Sequence, residues 1–134
     1  MSLNLSRKKI KNPLLEKVEE LSGQNVYACY QCGKCSAGCP LTDEMDCMPN
    51  QVIRCIQLGD ESILDCKAVW LCASCFTCAT RCPHGIDIAR VMDAVRQLAL
   101  RKNADKINVC EIDKELLKRA PQQLIVCAMR KYTG

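Results

Sequence analysis

Two stretches of this 134-residue chain, CYQCGKCSAGCP at 29–40 and CASCFTCATRCP at 72–83, share the spacing C-x2-C-x2-C-x3-C-P. Thiols three residues apart on a tight loop suit a metal centre with several corners. A cubane of iron and sulfide has four corners. One short loop can cover three of them while its backbone N–H groups turn toward the sulfurs. Small residues let the chain pass closely, and Gly33 and Gly38 are placed for that. Pro40 and Pro83, each following a fourth cysteine, fix φ, offer no N–H and turn the chain away. A shift of 43 residues, from Cys29 to Cys72, superimposes all four cysteines and the proline, while almost nothing else in the two runs matches. A demand on those positions alone points to ligation rather than packing.

The fourth cysteine of each run is beyond the reach of its own loop. In two-cluster proteins with this spacing it ligates the other cluster. The expected ligands are therefore Cys29, Cys32, Cys35 and Cys82 for one [4Fe–4S] cluster, and Cys72, Cys75, Cys78 and Cys39 for the second. The function expected of such a pair is electron transfer, which needs no protein nucleophile or acid, so no catalytic residue is assigned. Zinc sites usually pair two CxxC knuckles across a longer spacer, which three cysteines in seven residues fit poorly. A structural zinc module that scaffolds partners is the alternative from a different class.

Thirteen cysteines, one Trp, one Phe and three Tyr give a thin apolar core that bound metal would support. The opening MSLNLSRKKIK has no apolar stretch of signal length, and no apolar run approaches the ~20 residues of a membrane span. A cytoplasmic, reducing location is expected, which with the odd cysteine count argues against a disulfide scaffold. The formal charge of +4 is mild, and two oxidised cubanes at about −2 each would bring it to about zero. The basic arm Arg7, Lys8, Lys9 and Lys11 lacks interleaved aromatics, so nucleic acid is not an expected partner.

The positioning elements read as helices. Residues 1–11 read as a mobile arm. Asn12-Pro13 opens a helix that Gly23 ends, with Leu14, Leu15, Val18 and Leu21 on one face. Residues 49–58 form another, with Val52, Ile53 and Ile56 inward and Gly59 as the stop. A short helix is expected over 61–71, carrying Ile63, Leu64, Ala68, Val69 and Trp70. Asp87 caps the best amphipathic pattern, 88–102, with Ile88, Val91, Met92, Val95, Leu98 and Ala99 at helical spacing. A helix over 111–120 stops before Pro121, and QQLIVCAMRKYTG is ambiguous between helix and strand. Helical periodicity between the cysteine runs, where compact bacterial ferredoxins place strands and hairpins, predicts an all-α fold.

Five cysteines remain, Cys47, Cys55, Cys66, Cys110 and Cys127, and they read as small buried hydrophobes. His84, the only histidine, reads as a loop residue, and Lys34 and Arg81 as solvated charges beside the clusters. Trp70 suits either core packing or shielding of the second cluster.

The stretches CYQCGKCSAGCP, MPNQVIRCIQLG and VWLCASCFTCATRCPHGIDIARVMDAVR, together spanning roughly 27–96, resemble the C subunit of heterodisulfide reductase. The cysteine runs are shared with other helical ferredoxin modules, such as those of succinate dehydrogenase iron–sulfur subunits. PNQVIR and GIDIARVMDA are more specific. The resemblance implies an alpha-helical ferredoxin-like fold around two [4Fe–4S] clusters. It also implies a place between two partners of the heterodisulfide reductase type. One is an A-like protein bearing flavin and Fe–S clusters, and the other a cysteine-rich, disulfide-reducing B-like protein. Adjacent Cys-Cys pairs mark the B-like partner, and this chain has none. Disulfide reduction would then fall to a partner, with this chain relaying electrons. A free-standing two-cluster ferredoxin is the nearer alternative. The expected organisation is an N-terminal arm and helix over 1–24, a two-cluster domain over 25–102, and a C-terminal helical extension over 103–134 with LIVCAM as a possible docking strip.

Overall fold

A computed structural model describes residues 12–101 and 105–133. The arm expected at 1–11 and the helix end at Lys102 lie outside the described residues. Every regular element among them is helical. Sequence punctuation explains the first helices. In α1 (Pro13–Ser22) the Asn12 side chain accepts the Leu14 N–H at 2.9 Å, Pro13 takes the first turn, and Gly23 ends the helix at φ +65°. A proline at N1 loses no helical hydrogen bond, and glycine enters the left-handed region without a Cβ penalty. The helix α3 (Pro49–Leu58) repeats this logic, with Gly59 at φ +68°. The Gln51 side chain accepts the Met48 N–H at 2.9 Å and secures its start.

Between them lie a 3-10 turn at Val26–Ala28 and the one-turn helix α2 (Lys34–Ala37). The helix expected over 61–71 is broken. A 3-10 turn covers Glu61–Asp65, Cys66 is extended, and α4 covers Lys67–Leu71. Two separate caps impose the break. Asp60 accepts the Ser62 N–H, and Asp46, from a distant loop, accepts the Lys67 and Ala68 N–H groups at 2.8 Å each. A one-turn helix α5 (Thr77–Arg81) and the long α6 (Ile88–Leu100) follow. The Asp87 side chain accepts the Arg90 N–H at the start of α6, as the sequence predicts.

The chain divides into two units, one up to Arg96 and one from Gln97 onward. In the first, Val18, Val26, Val52, Ile53, Ile56, Ile63, Val69, Val91, Met92 and Val95 are fully buried, with Trp70 beside them. Burying each such side chain contributes roughly 1.5–3 kcal/mol. Helix α1 packs on α3, α3 on the Glu61–Asp65 turn, and α2 on both α3 and α5. A buried polar tie reinforces this, since the Asn12 amide donates to the Gly59 carbonyl at 2.8 Å. Leu64, Leu98 and Ala99, expected inside, are only half-buried, as is Leu21.

In the second unit, a 3-10 turn at Val109–Glu111 precedes α7 (Lys114–Arg119) and α8 (Gln122–Tyr132). The helix expected from 111 begins later because Asp113 caps it, accepting the Glu115 N–H at 3.0 Å. The ambiguous last segment is helical. No described side chain from Gln97 onward is fully buried.

Candidate metal centres

The internal repeat extends from sequence into backbone. Gln31 and Gly33 have φ of +65° and +76°; their equivalents 43 residues on, Ser74 and Phe76, have +52° and +60°. Helices α2 and α5 begin at equivalent residues, Lys34 and Thr77. Left-handed residues between cysteines curl successive N–H groups to one side, a concavity that suits an anion. The sulfurs are met accordingly. The Lys34 N–H donates to the Cys32 sulfur and holds its free thiol below the usual range. The Thr77 hydroxyl and N–H do the same at Cys75. Their neighbours go the other way, because burial pushes Cys35 up and carries Cys78 to about 11. The Ile86 N–H donates to the Cys82 sulfur at 3.4 Å.

The two glycines of the first run have different roles. Nothing lies within 4 Å of a Cβ built on Gly33, so its requirement is conformational. A Cβ on Gly38 would lie 2.6 Å from Arg81 Cδ, so there the two runs make their close approach. Gly33→Ala is expected to cost about 1 kcal/mol, the left-handed penalty for a residue with a Cβ. Thermal unfolding of the cluster-loaded protein would check it, with unchanged iron content expected.

The cysteines meet crosswise around two cavities. Cys29, Cys32, Cys35 and Cys82 line the first, with Lys34, Asn50, Ile53, Ile86 and Ile88. Cys39, Cys72, Cys75 and Cys78 line the second, with Leu41, Met45, Ile88, Ala89 and Met92 among its apolar wall. Ile88 lines both. Among the described residues, no three His, Cys, Asp or Glu side chains converge closely enough to hold a single metal ion. A mononuclear zinc site draws its sulfurs to within ~2.3 Å of one centre. Here four thiols ring a space, with N–H donors toward several sulfurs, and a larger anionic group fits that arrangement.

Two buried polar residues that sequence reading missed hold the entrances of the loops. Gln57, on α3, donates from Nε2 to the Val26 and Cys29 carbonyls at 2.9 and 3.1 Å. Arg96, on α6, donates from Nη1 to the Val69 and Cys72 carbonyls at 3.1 and 3.2 Å. Val69 and Cys72 are the repeat equivalents of Val26 and Cys29. Gln57 is 6% exposed and Arg96 5%. A signal existed. Each sits four residues after an inward apolar residue, Ile53 or Met92, at a core position of its helix. The first run is further tied to α3 through Ser36 Oγ, which accepts the Asn50 N–H at 3.1 Å and donates to Asn50 Oδ1 at 2.6 Å.

Other singled-out residues fall as follows. Lys34 lines the first cavity, and Arg81 is exposed but rests on Gly38. His84 is exposed in its loop and meets the Tyr30 ring edge-on at 4.9 Å. Trp70 is buried. None of the five remaining cysteines is fully buried. Cys110 and Cys127 are exposed, and Cys47, Cys55 and Cys66 are half-buried, so the buried-hydrophobe reading fails for the first two and holds only in part for the other three.

Fold, site and family match define the class: an all-helical iron–sulfur protein of the two-[4Fe–4S]-cluster type. Residues 25–86 match the 4Fe-4S dicluster domain family. Within that class the chain is a relative of the heterodisulfide reductase C subunits, as its motifs predict. It is 37% identical over 91 residues to the iron–sulfur C subunit of CoB–CoM heterodisulfide reductase from Methanopyrus kandleri, covering 67% of this chain and 46% of that protein. It is 34% identical over 95 residues to the C2 subunit of H2/formate:CoB-CoM heterodisulfide,ferredoxin reductase from Methanococcus maripaludis, covering 68% and 52%. It is 36% identical over 88 residues to the C subunit of ferredoxin:CoB-CoM heterodisulfide reductase from Methanosarcina mazei, covering 66% and 55%. The chain thus spans about half the length of these curated relatives. Among the described residues, no helix is long and apolar enough to cross a membrane.

Proposed function

We propose that this chain is the electron-transfer iron–sulfur subunit of a heterodisulfide-reductase-type complex, itself non-catalytic. It relays electrons between a flavin- and cluster-bearing A-like partner and a cysteine-rich B-like partner. Cys29, Cys32, Cys35 and Cys82 hold one cluster, and Cys72, Cys75, Cys78 and Cys39 the other. The observation that carries this reading is the crosswise lining of the two cavities. The bound clusters supply one-electron redox chemistry. The chain's own residues do the rest. Eight thiolates fix the metal, Gln57 and Arg96 fix the loops, and Ile53, Ile88 and Met92 exclude water. The LIVCAM segment, residues 124–129 on α8, forms the docking strip toward a partner, a role that suits the exposed Leu124 and Val126.

Anaerobic native purification tests the whole reading. Expected is a brown protein with about eight iron and eight sulfide per chain, co-purifying with a flavoprotein and a cysteine-rich chain. Deleting 121–134 should weaken that co-purification and leave the cluster spectrum intact. A brown protein that purifies alone would point to a free-standing ferredoxin, and a colourless one with zinc to a scaffold.

A further inference from the structure

Three of the five spare cysteines are brought together by the fold. Cys47 lies before α3, Cys55 within α3, and Cys66 at the start of α4. The Cys47 side chain neighbours those of both Cys66 and Cys55. Cys47 neighbours each of the other two, so the three form a row with Cys47 in the middle, an arrangement suited to pairwise chemistry. Asp46 sets the row. Its carboxylate accepts the Cys66 Sγ–H at 3.1 Å and the Lys67 and Ala68 N–H groups at 2.8 Å. That clamp brings the segment 46–47 against 66–68.

We propose that Cys47 and Cys66 form a reversible dithiol–disulfide site that exchanges with low-molecular-weight disulfides. Cys66 is the partner because its backbone is extended, at φ −69° and ψ 134°, outside any helix, whereas Cys55 is fixed within α3. The Cys47 sulfur attacks a disulfide R–S–S–R, forming a mixed disulfide and releasing one R–SH. The Cys66 sulfur then attacks the Cys47 sulfur, forming the Cys47–Cys66 bond and releasing the second R–SH. Two electrons pass from the protein dithiol to the small disulfide, and the two thiol protons leave on the released thiols. The site is half-buried, so a small disulfide can enter.

Burial pushes the attacking Cys47 thiol up, and burial with the neighbouring Asp46 carboxylate pushes the Cys66 thiol to about 12. Exchange needs the thiolate, so the reaction is slow at neutral pH and quickens as pH rises. The bond would staple the loop before α3 to the cap of α4, whose end leads directly into Cys72.

The test uses the cluster-loaded full chain, kept anaerobic. It is incubated with excess 2-hydroxyethyl disulfide at pH 7 and pH 9, then alkylated and peptide-mapped. Expected is a Cys47–Cys66 crosslink, formed several-fold faster at pH 9, with the cluster absorbance retained. The exposed Cys110 and Cys127 should carry only mixed-disulfide adducts, which reports that the reagent is active. In Cys66→Ser the crosslink should be replaced by an adduct on Cys47. The proposal is overturned by labelled Cys110 and Cys127 with free Cys47 and Cys66, by stable adducts on both without a crosslink, or by a Cys47–Cys55 bond in the native chain. Cluster occupancy is read separately, so these outcomes are distinct from a failure of the electron-transfer reading.

Discussion

Replacing Cys82 by alanine is expected to remove the cluster of the first run, not that of its own. Iron should fall from about eight to about four per chain. Cys39→Ala should remove the cluster of the second run in the same way. Pairs of substitutions separate this from ligation within each loop. Cys35→Ala with Cys82→Ala touches a single cavity and should leave about four iron. Cys78→Ala with Cys82→Ala touches both and should leave almost none. Iron and sulfide analysis after anaerobic purification reads the result, with low-temperature magnetic resonance of the reduced protein confirming the survivor. If the fourth cysteine served its own run, the two double variants would exchange outcomes. The lining of the cavities motivates the direction, since Cys82 stands with Cys29, Cys32 and Cys35, and Cys39 with Cys72, Cys75 and Cys78.

Arg96→Ala should be the most damaging change among residues that carry no sulfur. The guanidinium donates to the Val69 and Cys72 carbonyls and, from Nη2, to Ser74 Oγ and Asp93 Oδ1 at 3.3 Å each. Removing it strands the buried Val69 carbonyl and the part-buried Cys72 carbonyl at ~1–3 kcal/mol each, for a loss of about 3 kcal/mol in all. Arg96→Met keeps the apolar stem and separates packing from hydrogen bonding, so most of the loss should remain. Arg96→Lys should recover only part, because one ammonium lacks the fork that reaches several acceptors at once. Denaturant unfolding measures the stability. The specific readout is the order of cluster loss under an iron chelator, with the second-run cluster released first. Equal release of both clusters, or a loss under about 1 kcal/mol, would count against an anchoring role. Gln57→Leu should show the mirror image at the first run with a smaller penalty, since its amide is neutral.

The legible parts of the sequence were those where local chemistry and tertiary structure agree. Asn12-Pro13 with Gly23, and Pro49 with Gly59, bracket α1 and α3 because cap, proline and glycine each act within one turn. The cysteine spacing was legible because sharing a polyhedral centre sets strict intervals. Other features depended on distant residues. The break at Cys66 comes from Asp46, twenty positions away, which no window over 61–71 contains. The left-handed residues Gln31, Ser74 and Phe76 carry no glycine to announce them. Their strain of ~1–2 kcal/mol each is sustained by loops that must curl around a ligand. Gln57 and Arg96 looked like exceptions in apolar stripes, and only the carbonyls opposite them explain why they are inside. The row of Cys55, Cys47 and Cys66 is likewise a product of folding.

Ile88 is 3% exposed and forms part of the wall of both cavities. A partition shared by two rooms cannot be moved for one alone. Trimming this side chain would open both cavities together, so any drift here must satisfy both at once. Independent adjustment of either cavity is left to residues that line it alone: Lys34 and Asn50 for one, Leu41 and Met45 for the other.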